Sequence, residues 1–144
     1  MFSKACEYGI RAAVHIALQS EKGFRVGLRD IAEAIDSPEA FTGKILQQLS
    51  RDNLIQSSKG PTGGFEMTPH QLETVMLSDV VSTIDSDLIY TGCGLGLAIC
   101  DSENPCPLHQ SFMGIREQLR VMLETTSIRH LAMSLENGAA ILKR

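Results

Sequence analysis

Three cysteines and one histidine lie close together in the second half of the chain: Cys93, Cys100, Cys106 and His109. Deprotonated thiols and imidazole rings are ligands that suit zinc and iron–sulfur clusters. In a reducing cytosol, cysteines grouped in this way favour metal or redox chemistry over a disulfide framework. The spacing lacks the Cys-x2-Cys pairs of most structural zinc sites. We therefore predict an iron–sulfur cluster at these residues, with zinc as the alternative.

The segment that carries the cysteines, from Asp85 to Pro105, shows neither a helical nor a strand period. A long unpatterned segment inside a compact domain is usually functional or disordered. Several glycines interrupt it, so side-chain packing offers little order, and we expect a bound metal to supply it. The remaining cysteine, Cys6, falls on an apolar first helix and is expected to be an inert buried residue.

A long helix is predicted to follow this segment. Pro107 opens the helix, Cys106 caps it, and His109 lies three residues after Cys106 and on the same side. The positive end of the helix favours a thiolate and an anionic cluster. Apolar residues then recur at the spacing of a helix–helix seam, at Leu108, Phe112, Ile115, Leu119 and Met122. A last short helix is expected to continue the seam with Ile128, Leu131 and Leu135.

The first half of the chain has the pattern of a helix-turn-helix. Ser3 is placed to cap a first helix that runs to about Ser20, and a short second helix begins near Leu28 and ends near Asp36. A third helix is predicted to start at Ser37-Pro38-Glu39, with a capping hydroxyl and a proline at the first helical position. Its predicted buried face consists of Phe41, Ile45, Leu46 and Leu49. Two short helices joined by a tight turn are typical of this motif.

A β-hairpin is predicted directly after the third helix. Two β-prone segments, Leu54–Ser58 and Phe65–Thr68, flank the glycine- and proline-containing turn Lys59–Gly64. Such a pattern is typical of a hairpin, and a hairpin in this position is a wing. A fourth helix is predicted from Val75 to Ile84.

These elements predict a DNA-binding surface. A recognition helix buries one face and presents the other to base edges and phosphates, and a glycine-rich wing lets its backbone approach phosphates. Any amphipathic helix has a polar outer face, but a hairpin beside a helix-turn-helix favours DNA binding. The predicted contacts are Ser37, Glu39, Ala40, Thr42, Lys44 and Gln47 around the third helix, and Lys59, Gly60, Pro61, Thr62 and Gly63 in the wing.

The charge distribution is compatible with this prediction. The net charge is −4, but the acidic excess lies beyond residue 70. Between Ala40 and Phe65 there are three basic residues and only one acidic residue, Asp52. A local basic patch is sufficient for phosphate contact. No apolar run reaches the length of a membrane span and no signal-peptide pattern is present. We therefore expect a cytoplasmic protein with no membrane partner.

The wing sequence Lys59-Gly60-Pro61-Thr62-Gly63-Gly64-Phe65 resembles that of the Rrf-type regulators, the family with IscR-, NsrR- and CymR-like members. The resemblance covers nearly the whole chain, through Tyr8–Ala12, Asp30–Ala32, Leu77–Val81 and the cysteine segment. It implies a winged-helix homodimer whose long C-terminal helix crosses its partner and which binds a pseudo-palindromic operator in double-stranded DNA. Thr42 and Gly43 differ from the residues usual in the family, so the resemblance does not imply the operator sequence.

The same resemblance implies a cluster type and a fourth ligand. IscR-like members bind a [2Fe–2S] cluster through three cysteines and a histidine at the position of His109. NsrR-like members take an acidic ligand from the first helix of the other subunit, at the position of Glu7. His109 is favoured over Glu7 because imidazole is a known cluster ligand beside cysteines, and [2Fe–2S] is favoured over [4Fe–4S].

Together these observations predict a mainly α fold with a small β-hairpin wing, a winged helix-turn-helix with a long C-terminal dimerisation helix. The expected units are a DNA-binding domain (1–84), a cysteine-rich cluster-binding loop (85–107) and dimerisation helices (108–144). The expected function is a transcriptional regulator, a repressor, that senses iron–sulfur status, redox state or nitric oxide. The alternative is a metal-free or zinc-stabilised regulator with structural or thiol-sensing cysteines. No motif points to an enzyme.

Overall fold

The computed structural model describes residues 1–143, which form several helices and one two-stranded sheet. The elements are α1 (Lys4–Glu21), α2 (Leu28–Ile35), α3 (Glu39–Arg51), β1 (Gln56–Ser58), β2 (Gly64–Glu66), α4 (Pro69–Thr74), α5 (Leu77–Asp85), α6 (Leu88–Thr91), α7 (His109–Thr125) and α8 (Ile128–Glu136). A helix-turn-helix followed by an antiparallel hairpin confirms the predicted mainly α, winged-helix fold class. None of the helices in residues 1–143 is both long and apolar enough to cross a membrane.

Helix α1 lies at the centre of the core. It begins where predicted, because the Ser3 hydroxyl accepts a hydrogen bond of 3.0 Å from the backbone amide of Cys6. Its buried face carries the small residues Ala12, Ala13 and Ala17, which let neighbouring helices approach closely. Helices α2, α3, α5 and α8 and strand β2 all contact it. The first helix therefore joins the two halves of the chain.

The thiol of Cys6 is fully buried, as predicted. Burial, together with the nearby Asp85 carboxylate, raises the pKa of Cys6 to about 12. The same carboxylate accepts a hydrogen bond of 2.9 Å from the Ser3 amide. Cys6 is thus a protonated core residue, and Asp85 fixes the end of α5 to the start of α1.

Helices α2 and α3 form the helix-turn-helix. After α2, Asp36 takes the left-handed conformation (φ 55°) that turns the chain toward α3. The predicted cap is wrong by one residue, because Pro38 rather than Ser37 is the N-cap. The Ser37 hydroxyl is hydrogen-bonded to the Thr42 hydroxyl at 2.5 Å instead of capping the helix backbone.

The buried face of α3 also differs from the prediction at one position. Phe41 is 38% exposed, and its ring meets the Tyr8 ring edge-on with 5.7 Å between centroids. The residues that α3 buries are Thr42, Ile45, Leu46 and Leu49. These four follow the period of an amphipathic helix, which places Thr42 inside.

The wing is a short hairpin that is extended by a third backbone segment. Ser57 of β1 pairs with Phe65 of β2 in antiparallel register. On its other side, Phe65 exchanges two backbone hydrogen bonds with Val26, of 3.0 and 2.8 Å. The connection between α1 and α2 therefore anchors the wing to the helix-turn-helix.

Helix α5 corresponds to the predicted fourth helix, and the sequence does not predict α4, which precedes it. Helix α4 precedes α5 and is capped by Thr68, whose hydroxyl accepts from the Gln71 amide while the Gln71 side chain accepts from the Thr68 amide. The connection between these helices forms an antiparallel bridge from Met76 to Ser127. This bridge ties the middle of the chain to the junction of α7 and α8.

The C-terminal helices play different parts. Helix α7 starts two residues later than predicted, with Leu108 as its N-cap instead of Cys106. Its last turns enter the core through Leu123, and α8 packs against α1 with Ile128 and Ala132 buried. The expectation that α8 continues the seam of α7 is therefore wrong, because its apolar face is covered by its own chain.

Candidate functional site

Most of the predicted DNA-contact positions of α3 face away from the core. Glu39, Ala40, Lys44 and Gln47 are exposed, on the side opposite to the buried face of the helix. They include a cation and groups that can form hydrogen bonds with base edges or phosphates. Their role in binding DNA remains a prediction, but they are accessible for it.

Thr42 is a correction to the predicted contact set. Its side chain is 0% exposed, and its hydroxyl donates to the Pro38 carbonyl at 2.8 Å. With the Ser37 hydroxyl as a second partner, the polar group is satisfied inside the protein. Ser37 itself is half-buried and faces Thr42. Both residues shape the start of α3, and Thr42 cannot reach a base edge.

The tip of the wing has the exposed backbone that phosphate contact requires. Lys59, Gly60, Pro61 and Thr62 are exposed, whereas Gly63 is half-buried. The φ angle of Gly60 is +94°, a conformation that L side chains rarely adopt. At Gly63, a Cβ atom would clash with the backbone of the opposite strand. The turn therefore depends on two of the glycines predicted to lie near DNA.

Sequence reasoning missed Arg25, which braces the wing from the side. Its guanidinium donates to the Thr62 carbonyl at 3.4 Å and pairs with the Glu66 carboxylate at 3.2 Å. The side chain is exposed and basic, next to the predicted phosphate-binding turn. Nothing in the local pattern marks it, because it lies in the connection between α1 and α2 and meets the wing only in the fold.

The cysteine segment places two of its thiols together. The backbone amides of Leu95, Leu97 and Gly96, together with the Cys106 side chain, lower the pKa of the Cys93 thiol, and the Leu95 amide has the largest effect. A ring of amide donors of this kind favours a thiolate, which is the form that binds metal.

The other two candidate ligands form a second pair. The Cys100 sulfur lies 3.5 Å from Nδ1 of His109. His109 is only 6% exposed, and its other ring nitrogen, Nε2, is buried without a hydrogen-bond partner in residues 1–143. A buried polar atom without a partner is costly and calls for an explanation. An additional ligand at the imidazole would supply one.

Cys106 and His109 lie next to each other, with the His109 amide donating to the Cys106 carbonyl at 3.0 Å, but their side chains have different neighbours. His109 faces Cys100, and Cys106 faces Cys93. Within residues 1–143, no group of three or more histidine, cysteine or acidic side chains is close enough to hold one metal ion. Glu7, the alternative ligand, is partly exposed on α1 and pairs with Lys4 at 3.2 Å. The single chain thus offers two pairs of donors and no tetrahedral set.

An exposed helix-turn-helix, a glycine-rich wing and a cysteine segment at the root of a long helix define a winged-helix transcriptional regulator. The chain matches the model of the Rrf2 family, described as an iron-dependent transcriptional regulator, over residues 2–134. It belongs to this family, which confirms the resemblance seen in the sequence.

Individual relatives support the same assignment. A putative HTH-type transcriptional regulator of Aquifex aeolicus is 26% identical over 133 residues, which cover 91% of this chain and 90% of that protein. Among solved structures, CymR, the global cysteine regulator of B. subtilis, superposes with a TM-score of 0.74 at 18% identity, covering 92% of this chain and 96% of CymR. T. potens IscR superposes with a TM-score of 0.73 at 16% identity, covering 97% and 91%. At these identities the two structures establish the fold alone.

Proposed function

We propose that this regulator is a repressor whose affinity for DNA is set by a [2Fe–2S] cluster held by Cys93, Cys100, Cys106 and His109. The observation that carries the proposal is the Cys100 sulfur, which lies 3.5 Å from Nδ1 of the buried His109 imidazole, a spacing at which both atoms can bind one iron. When bound, the cluster would supply a centre that can be oxidised, reduced or nitrosylated. The chain's own residues would bind it and connect it to α7.

The donor pairs fit a binuclear cluster better than a single metal ion. Each iron of a [2Fe–2S] cluster takes two protein ligands, and histidine can replace cysteine at one iron. The pairs Cys93 with Cys106 and Cys100 with His109 match that requirement in number and in chemistry. A structural zinc ion instead needs four ligands around one point. The zinc-stabilised or metal-free regulator therefore remains the second candidate, and Glu7 of a second copy remains the alternative fourth ligand.

We further propose that α7 pairs with α7 of a second copy of the chain. Three exposed apolar side chains recur seven residues apart on one face of this helix and its N-cap, at Leu108, Ile115 and Met122. A contiguous exposed apolar surface on a soluble domain usually marks an interaction site. A symmetric dimer also places two recognition helices one DNA turn apart, as a pseudo-palindromic operator requires. The predicted homodimer would cover this surface and would suit the predicted operator.

The cluster is tested by anaerobic purification and quantification of iron, acid-labile sulfide and zinc per chain. We expect about two iron and two sulfide per chain, together with visible iron–sulfur absorbance. His109→Ala and Cys100→Ala should each lose most of the iron and change the affinity for operator DNA. Cys6→Ala is the control, because this buried thiol is outside the proposed site. Zinc without sulfide would instead support the second candidate.

The dimer is tested by Ile115→Glu, at a position 58% exposed in the single chain. Burying an isoleucine contributes about 1.5–3 kcal/mol, and a two-fold interface loses this twice. We expect the variant to be a monomer with an unchanged helix content, measured by analytical ultracentrifugation and circular dichroism. Met133→Glu, an exposed apolar position on α8, is the matched control and should remain dimeric. A dimeric Ile115→Glu would contradict the pairing of α7.

A further inference from the structure

Arg116 connects α7 to the cysteine segment at two points. Its Nη1 donates to the Gly92 carbonyl at 2.5 Å, just before Cys93. Its Nη2 donates to the Cys100 sulfur at 3.4 Å. One guanidinium therefore holds both ends of the stretch from Gly92 to Cys100. One turn earlier on α7, the Phe112 ring packs so closely on Gly94 that a Cβ there would clash with it.

The charge of Arg116 is not neutralised by an acidic neighbour. In residues 1–143, it forms no ion pair with a carboxylate, whereas Arg120, one turn further along α7, pairs with Glu117 and Glu124. Arg120 also lies over the Tyr90 ring, with 4.4 Å to the centroid. The positive charge of Arg116 thus faces the cysteine segment, while Arg120 interacts with acidic residues of its own helix and with the Tyr90 ring of α6.

We propose that Arg116 is a positioning residue for the cluster. It holds Cys100 against α7, which slows the loss of the cluster. Its positive charge also stabilises the reduced state of the cluster. This inference rests on the proposed function. A guanidinium presents two donors in a fixed plane and is always charged, so it can hold a carbonyl and a thiolate at once. Hydrogen bonds to the sulfur ligands and nearby charge are among the main determinants of cluster potential. A fixed cation beside the cluster favours the state that has gained an electron from an external reductant.

The inference also gives the cluster a direct contact with the proposed dimer helix. Arg116 follows Ile115, which lies on the exposed apolar surface of α7. A change in the bond between Arg116 and Cys100 would therefore act on the helix at the level of the proposed interface. No other lysine or arginine side chain in residues 1–143 forms a hydrogen bond with the Cys100 sulfur.

The test compares wild type, Arg116→Gln, Arg116→Lys and the control Arg120→Gln, all reconstituted anaerobically with iron and sulfide. Two quantities are measured: the half-life of the cluster against a ferrous chelator and its midpoint potential in a dithionite titration. Substituting a residue that hydrogen-bonds to a metal ligand typically weakens metal binding by 10–100-fold. We therefore expect Arg116→Gln to lose the cluster about 10-fold faster and to be reduced at a lower potential. Arg120→Gln should match wild type in both.

Arg116→Lys separates charge from positioning. An ammonium keeps the charge, so the potential should return toward that of wild type. It cannot hold the Gly92 carbonyl and the Cys100 sulfur together, so the half-life should recover only in part. If wild type is loaded and Arg116→Gln matches it in half-life and potential, the inference about Arg116 is wrong and the proposed function stands. If wild type itself takes up no cluster, the proposed function fails and this inference fails with it.

Discussion

Replacing Thr42 with valine separates the packing of α3 from its recognition of DNA. Valine has nearly the same shape but can bond neither the Pro38 carbonyl nor the Ser37 hydroxyl. The Pro38 carbonyl keeps the Thr42 amide as a partner at 2.9 Å, and the half-buried Ser37 hydroxyl can turn toward water. The expected cost is therefore that of one hydrogen bond, about 1 kcal/mol. For a domain of this size, that lowers Tm by about 3–4 °C.

The assay pairs urea unfolding with DNA titration on the operator and on single-base variants of it. Thr42→Val should lower the free energy of unfolding and leave the order of preference among operators unchanged. Lys44→Ala, two residues along the same helix and exposed, should do the reverse: stability within about 0.5 kcal/mol of wild type and a salt dependence reduced by about one phosphate contact. If Thr42→Val altered operator preference without loss of stability, the assignment of Thr42 to the core would be refuted.

Two further predictions concern the wing and the core. Gly64 has a φ of +141°, and a Cβ there would lie 2.8 Å from the Val26 carbonyl oxygen. Gly64→Ala should therefore lower the free energy of unfolding by about 1–3 kcal/mol through strain and weaken DNA binding. Unchanged stability and affinity would contradict this role of Gly64. The pKa of Cys6 rises from 9.0 to about 12 on folding, so its contribution is complete below pH 9 and is lost as pH rises through the folded value. Between about pH 9 and 11, the free energy of unfolding of wild type should therefore fall more steeply than that of Cys6→Ala, by up to about 1.4 kcal/mol per pH unit. Urea unfolding at several pH values measures this difference. If the two free energies fell in parallel with pH, the raised pKa of Cys6 would be contradicted.

The sequence predicts this fold well where periodicity is long and misses elements where it is short. The first three helices and the hairpin were predicted because apolar spacing, turn residues and the Ser3 cap agree with one another. Helix α4 was missed although Thr68, Pro69 and Gln71 form a capping box with a proline at the first turn. Helix α6 has only four residues, from Leu88 to Thr91, which are too few to show a helical pattern of apolar residues.

At α3, hydrophobicity and periodicity favoured different residues. Hydrophobicity predicts Phe41 in the core, whereas the helical period from Ile45, Leu46 and Leu49 places Thr42 there. The period was the better guide, since a hydroxyl can be buried when its partners lie on the same turn. The predicted contact set therefore loses Thr42 but keeps its exposed neighbours as predictions.

The pairing within the cysteine segment could not be predicted from spacing. Separation along the chain indicates proximity only inside a regular helix, and Cys106 lies outside α7. The conformation of this segment depends instead on long-range contacts, such as those that Arg116 makes with Gly92 and Cys100. Such contacts become visible only once the helix and the segment are folded against each other.

The proposed sensing function requires a mechanical connection between the cysteine segment and α3, and α1 offers one within a single chain. Asp85, the first residue of the cysteine segment, accepts a hydrogen bond from the Ser3 amide at the start of α1. Two turns further along α1, Arg11 donates to the Ile35 carbonyl at 2.9 Å, where α2 ends. Close-packed interiors transmit displacements instead of absorbing them, and the buried face of α1 is closely packed by five elements. A cluster can change DNA affinity only by stabilising one of two arrangements, so a shift of α1 relative to α2 is the difference expected between loaded and metal-free protein.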